Sequence, residues 1–247
     1  MCRRFLRLTG LALISSLFLC GFSLQGKAAT QVSLELVLAV DCSSSVDQGE
    51  FELQMRGLAE AFRHPSVLNA LQQTWPKGIA VALLQWSGDN DQIRALDWTH
   101  VNSAPAAAAF ADSLDKTPRF VDGGPTALGN AVNVAVDWIL GNGFDGERQV
   151  IDVSGDGRAN TGDAAAVARH YANERGITVN GLAILNEEPK LASYYLAGVV
   201  GGPGAFLLTA DDFEDFSRAI RRKIFFEITG PPIVQGPLPV SPRLATR

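Results

Sequence analysis

A chain of 247 residues is long enough for one large α/β domain or two small ones. With 47% hydrophobic and 19% charged residues it is globular rather than disordered, and a formal net charge of −5 argues against nucleic acid as its main partner.

Residues 1–29 read as a secretory signal. Arg3, Arg4 and Arg7 give a basic head, residues 8–24 an almost wholly apolar or small run, and Gly26, Ala28 and Ala29 a small-residue exit. Two other readings stand beside it. An uncleaved segment would anchor the chain, for which an apolar run of about 17 residues is at the short end. A lipoprotein signal would end at Cys20, but Leu19 is bulky where a small residue is wanted. Cleavage takes four of the 21 basic residues and none of the 26 acidic ones, which moves the net charge from −5 to −9. An acidic protein in the periplasm or outside the cell suits cation binding and does not suit an anionic membrane surface. Cys2 and Cys20 leave with the signal. Cys42, left alone, can form no internal disulfide, so stability has to come from the core.

The remainder alternates strand and helix patterns. Strands are expected over 32–40, 79–86, 149–153 and 177–185, a short edge strand over 92–98 and a last short strand over 205–208. Helices are expected over 47–63, 104–114, 127–140, 164–174 and 212–226, with a short one over 189–197. Strands rich in Val, Ile and Leu on both faces imply a sheet covered by helices on both sides. The expectation is a doubly wound, mostly parallel α/β fold with one short antiparallel edge strand, filling 30–229. From Gly230 five prolines break up the chain, giving an extended tail over 230–247.

The first strand runs into Asp41-Cys42-Ser43-Ser44-Ser45. Ligands of open α/β sheets sit beyond the carboxyl ends of strands, and this string sets one carboxylate and two hydroxyls, Ser43 and Ser45, on a tight loop there. Hard cations such as Mg²⁺ take oxygen ligands of this kind, few carboxylates and some water. The bland alternative is a polar turn with Ser45 capping the next helix. Two further segments repeat the pattern. Gly123-Gly124-Pro125-Thr126 puts a hydroxyl just before a long helix, where Thr126 could equally be a cap. Ser154-Gly155-Asp156-Gly157 puts a second carboxylate at the end of another core strand.

Taken together, Asp41-x-Ser43-x-Ser45, Thr126 in a Gly-Gly-x-Thr loop and Asp156 in a Gly-Asp-Gly loop resemble the metal-ion-dependent adhesion site (MIDAS) of von Willebrand factor type A (VWA) domains. The resemblance covers about residues 32–226, and within the family the chain looks like a bacterial group of exported VWA-like proteins of unknown function. It implies that Asp41, Ser43, Ser45, Thr126 and Asp156 ligate Mg²⁺ or Mn²⁺, with Ca²⁺ less favoured, directly or through water. It also implies binding rather than catalysis, the last metal ligand being an acidic residue of a protein partner. Gly155 departs from the family, many of whose members carry Thr there.

Competing readings make different demands. Residues 152–163 place oxygens at the positions of an EF-hand calcium loop, with Gly157 at the sixth, and look like one dockerin repeat. Against this, Asp163 stands where EF-hands carry Glu, an apolar strand pattern stands where a helix should enter, and no second copy exists. Cys42 as a phosphatase nucleophile lacks an Arg six residues on, where Gln48 sits. Asp41 as a phosphoryl acceptor lacks a second carboxylate two residues on, where Ser43 sits. Neither a P-loop nor a dinucleotide-binding glycine string is present, so no nucleotide is expected. His64, His100 and His170 share no ligand spacing. A metal-dependent phosphoester hydrolase at the same strand ends is the runner-up, and it needs an acid or base beside the metal. Trp86, next to the site, is expected in the core or on the rim, and Cys42 as a small apolar residue behind the loop.

Overall fold

The computed structural model describes residues 28–231. The signal expected over 1–29 and the tail expected over 230–247 lie outside the described residues, apart from two positions of each. Among the described residues no helix is long and apolar enough to cross a membrane.

In chain order the elements are β1 (Thr30–Val32), β2 (Leu34–Asp41), α1 (Gln48–Arg63), α2 (Pro65–Thr74), β3 (Ile79–Trp86), β4 (Gln92–Val101), α3 (Ala104–Lys116) and α4 (Leu128–Leu140). Then come β5 (Phe144–Gly146), β6 (Gln149–Gly155), α5 (Ala165–Asn173), β7 (Thr178–Ile184), α6 (Leu191–Tyr194), a π-helical turn (Tyr195–Val199), β8 (Leu207–Ala210) and α7 (Phe216–Thr229). Six strands form one sheet in the order β4-β3-β2-β6-β7-β8. Only the β3–β4 pair is antiparallel, and β1 and β5 make a separate parallel pair. The doubly wound fold is therefore as expected.

Every residue of β2, β3 and β7 is buried, because helices cover both faces. Alternate side chains divide between two cores. Leu34, Leu36, Leu38 and Val40 pack with α1, α2, α3 and α7, while Val37 and Ala39 pack with α4, α5 and the π turn. The chain turns one way from β2 to β3 and the other way from β6 to β7. The ends of the adjacent strands β2 and β6 thus form the switch point of the sheet.

Several elements differ from expectation. The first strand breaks at Ser33, where β1 leaves to pair with β5, and β2 runs one residue further so that Asp41 closes it. The edge strand β4 is long, ten residues, with two register irregularities against β3. Helix α2 is additional; its N-cap is His64, whose ring accepts from Ser66 N, with Pro65 in the first turn. The last strand and last helix each begin a few residues later than expected.

Candidate metal centre

Asp41 is the last residue of β2 and Asp156 follows directly on β6, so the switch point brings the two carboxylates together. Asp41 is 0% exposed and Asp156 1%. Oδ1 of Asp41 accepts from Ser43 N (2.8 Å). Ser45 Oγ donates to Asp156 Oδ1 (2.8 Å) and lies 3.3 Å from Ser43 Oγ. The remaining oxygens, Asp41 Oδ2 and Asp156 Oδ2, are buried without a partner.

The polar-turn readings of the hydroxyls do not hold. Helix α1 is capped by Asp47 in a reciprocal box with Glu50, which leaves Ser45 for Asp156. Helix α4 starts from Ala127 with no side-chain cap, so Thr126, itself 6% exposed, is not spent on the helix. Its loop is held to the other two by paired hydrogen bonds of backbone and side chain. Ser44 N donates to Gly124 O (2.9 Å) while Gly124 N donates to Ser44 Oγ (2.8 Å). Thr126 N donates to Asn160 Oδ1 (2.8 Å), and Asn160 N to Thr126 O (3.0 Å). Gly123 and Gly124 adopt φ of 74° and 111°, which side-chain-bearing residues rarely take, and this lets the loop fold back onto Ser44.

Burial, and after it the neighbouring charge of Asp156, pushes the Asp41 carboxyl up from 3.8 to about 7. Burial raises Asp156 as well, against the hydrogen bond from Ser45. Two desolvated carboxyls side by side are costly to ionise unless a cation compensates them. Asp41 Oδ2 and Asp156 Oδ2, with the hydroxyls of Ser43, Ser45 and Thr126, make an all-oxygen donor set suited to Mg²⁺ or Mn²⁺. No cluster of three or more His, Cys, Asp or Glu side chains suited to a metal occurs among the described residues. A site here therefore rests on two carboxylates supplemented by hydroxyls and water.

A family model described as "Protein of unknown function (DUF1194)" matches residues 31–232, most of the chain. The chain belongs to that DUF1194 family. No curated protein matches it. In fold this DUF1194 chain is similar to proximal thread matrix protein 1 from the mussel byssus, at 15% identity and a TM-score of 0.59, over 81% of this chain and 48% of that one. That mussel protein is also known with a zinc-occupied MIDAS motif. A von Willebrand factor type A protein from Catenulispora acidiphila is similar at 14% identity and a TM-score of 0.55, over 80% of this chain and 43% of that one. An aerotolerance-related membrane protein from Bacteroides fragilis is similar at 18% identity and a TM-score of 0.52, over 79% and 98%. The DUF1194 chain thus spans about half the length of the first two and nearly all of the third. The fold is that of a VWA domain.

Of the five residues singled out in the DUF1194 sequence, Asp41 closes β2 and the other four lie on loops, joined by the contacts above. The calcium loop does not form. Asp152 is a mid-strand residue of β6 whose Oδ1 lies 2.7 Å from Lys223 Nζ of α7. Asp163 accepts from Asn133 of α4, on the opposite face. The ends of that would-be loop point to different sides of the sheet. Trp86 is fully buried and takes no part in the rim. Cys42 is buried too, and burial followed by the charge of Asp41 pushes its thiol up to about 12, so it packs as an inert apolar residue.

The sequence reading missed Arg119. Its Nη2 donates to Cys42 O (2.9 Å) and its Nε to Val121 O (2.9 Å), tying the loop after β2 to the segment before Gly123. A lone arginine in a loop carries no sequence signal for that task. It also missed Tyr195, whose phenol crowds Gly155. A Cβ on Gly155 would stand 2.7 Å from Asp41 Oδ2 and 2.9 Å from Tyr195 Oη, so the departure from Thr at this position follows from a filled space.

Proposed function

We propose that the switch-point loops hold one Mg²⁺ or Mn²⁺ ion through Asp41, Ser43, Ser45, Thr126 and Asp156, and that the loaded site binds an acidic residue of a protein partner in the periplasm or outside the cell. The observation that carries this is the pair of buried, unpartnered carboxylate oxygens on Asp41 and Asp156, at the ends of adjacent strands, with Ser43 bonded to the other oxygen of the first carboxylate and Ser45 to that of the second. A bound ion with few charged protein ligands supplies an electrophilic coordination position that favours an external carboxylate. The zinc-occupied MIDAS motif of the mussel protein, which shares the fold, supports the reading.

The chain's own part is to hold the loops. Arg119 and the Ser44–Gly124 clasp fix the backbone around Asp41 and Thr126, and Asn160 ties Thr126 to the segment after Asp156. Binding is favoured over hydrolysis because the histidines are occupied elsewhere. His64 caps α2, His100 Nε2 lies 2.6 Å from Lys77 O, and His170 pairs with Glu174.

Calorimetric titration of Mg²⁺ and Mn²⁺ into metal-free protein tests the site. The expected result is one equivalent bound by the wild type and by Asp163→Ala, and none by Asp41→Ala, which stays folded. Binding that survives Asp41→Ala and disappears with Asp163→Ala would sink the assignment. Unfolding of Asp41→Ala would instead give the metal loop a structural role. A partner of the proposed kind is released from the wild type by EDTA.

A further inference from the structure

Tyr195 opens the π-helical turn and is fully buried. Such turns interrupt regular helix and recur at functional sites. Its ring lies across two glycines on neighbouring strands. A Cβ on Gly181 of β7 would meet Tyr195 Cδ1 at 2.7 Å, and a Cβ on Gly155 of β6 would meet Tyr195 Oη at 2.9 Å. Both positions are bare on the face the phenol crosses. The ring delivers its hydroxyl to the point where Asp41 Oδ2 also arrives, since that oxygen lies 2.7 Å from the same Gly155 position.

Tyr195 Oη and Asp41 Oδ2 are both buried without a hydrogen-bond partner, and they do not bond each other in the metal-free fold. A buried phenol left unsatisfied costs folding free energy. The two groups are chemically complementary, because an ionised carboxylate only accepts and a phenol has a proton to donate. Asp41 Oδ1 already takes the N–H of Ser43. A donor at Oδ2 would fix the rotation of the carboxylate from its second oxygen.

We propose that Tyr195 is a positioning residue of the metal site: with a cation bound, its phenol turns to donate to the neighbouring Asp41 Oδ2 and holds that carboxylate in the orientation the cation needs. This rests on the metal-site reading above. Hydrogen-bond partners of metal-bound groups are worth about 10–100-fold in affinity, so Tyr195→Phe weakens Mg²⁺ binding by about tenfold or more. It leaves the metal-free melting temperature close to that of the wild type, since only an oxygen is lost from the core.

The experiment is Mg²⁺ calorimetry on the full chain, wild type and Tyr195→Phe, beside nuclear magnetic resonance of tyrosine-labelled wild type with its three tyrosines assigned. The expected result is weaker binding by the variant and a Mg²⁺-dependent shift of the Tyr195 ring signals in the wild type. Equal affinities, with the wild type binding Mg²⁺, overturn the role of Tyr195 and leave the metal site standing. A wild type that binds neither Mg²⁺ nor Mn²⁺ overturns the underlying reading instead. Should Tyr195→Phe fail to fold, the wild-type resonances decide, and a Tyr195 signal unmoved by saturating Mg²⁺ overturns the inference.

Discussion

Asp41 carries the largest electrostatic cost at the site, and the sign of that cost can be tested. Its carboxyl is raised to about 7 in the folded chain, first by burial and then by Asp156. An unfolded aspartate titrates near its ordinary value, so between about pH 4 and pH 7 the folded state holds more protons than the unfolded state. The stability tied to Asp41 is therefore fully present below about pH 4 and is lost as pH rises through about 7. Metal-free wild type should become less stable from pH 5 to pH 8, on the order of 2–4 kcal/mol of that change being due to Asp41. Asp41→Asn, neutral at every pH, should remove that part of the slope and be the more stable protein at pH 8. Urea denaturation with chelator at the two pH values checks this; equal slopes for the two proteins would contradict it. The five ligand candidates were legible in the sequence because each sits in a short motif, four of them at the ends of β2 and β6 and Thr126 on the loop between α3 and α4. Tyr195 and Arg119 were not, because each reaches the site from a segment distant in sequence, and no local spacing announces such a contact.

At the scale of elements, α7 is docked by charge as well as by apolar packing. Lys223 and Glu227 are fully buried on its inner face. Lys223 Nζ lies 2.7 Å from both Asp152 Oδ1 of β6 and Glu227 Oε1, and Asn180 Nδ2 of β7 donates to Glu227 Oε2 (2.7 Å). Two carboxyls facing one ammonium in a dry core leave no spare cation. Lys223→Met should cost about 3–5 kcal/mol by stranding both acids, while the Mg²⁺ affinity measured by calorimetry stays within a few-fold, because the cluster lies on the far face of the sheet from Tyr195. A loss under about 1 kcal/mol in urea denaturation would show that the ammonium is not what compensates them. This network could have been read earlier. Phe216, Ala219, Ile220 and Ile224 set a helical stripe, and Lys223 and Glu227 fall on it. Helix α2 was also readable, as Pro65 followed by apolar Val67, Leu68, Ala70 and Leu71. It escaped because its cap is a histidine and not one of the usual oxygen-bearing residues. The β1–β5 pair is three residues on each strand, too short for any periodicity to reveal.

For the whole molecule, the alternation of buried strands and helices was enough to predict the doubly wound sheet, and β3 begins and ends where its apolar run does. What the run of residues could not show is the strand order that sets β2 beside β6. That adjacency alone brings Asp41 to Asp156 across more than a hundred residues of chain. It also sends Asp152 to one face of the sheet while Asp163 serves the other, and so dissolves the calcium loop that the sequence spelled out. The proposed function depends on this switch point holding a cation, which can be seen directly. Crystals of the protein soaked in Mn²⁺ and measured for anomalous scattering should show one peak enclosed by Asp41, Ser43, Ser45, Thr126 and Asp156. A peak along residues 152–163 away from Asp41, or none at the switch point in a well-soaked crystal, would contradict the account.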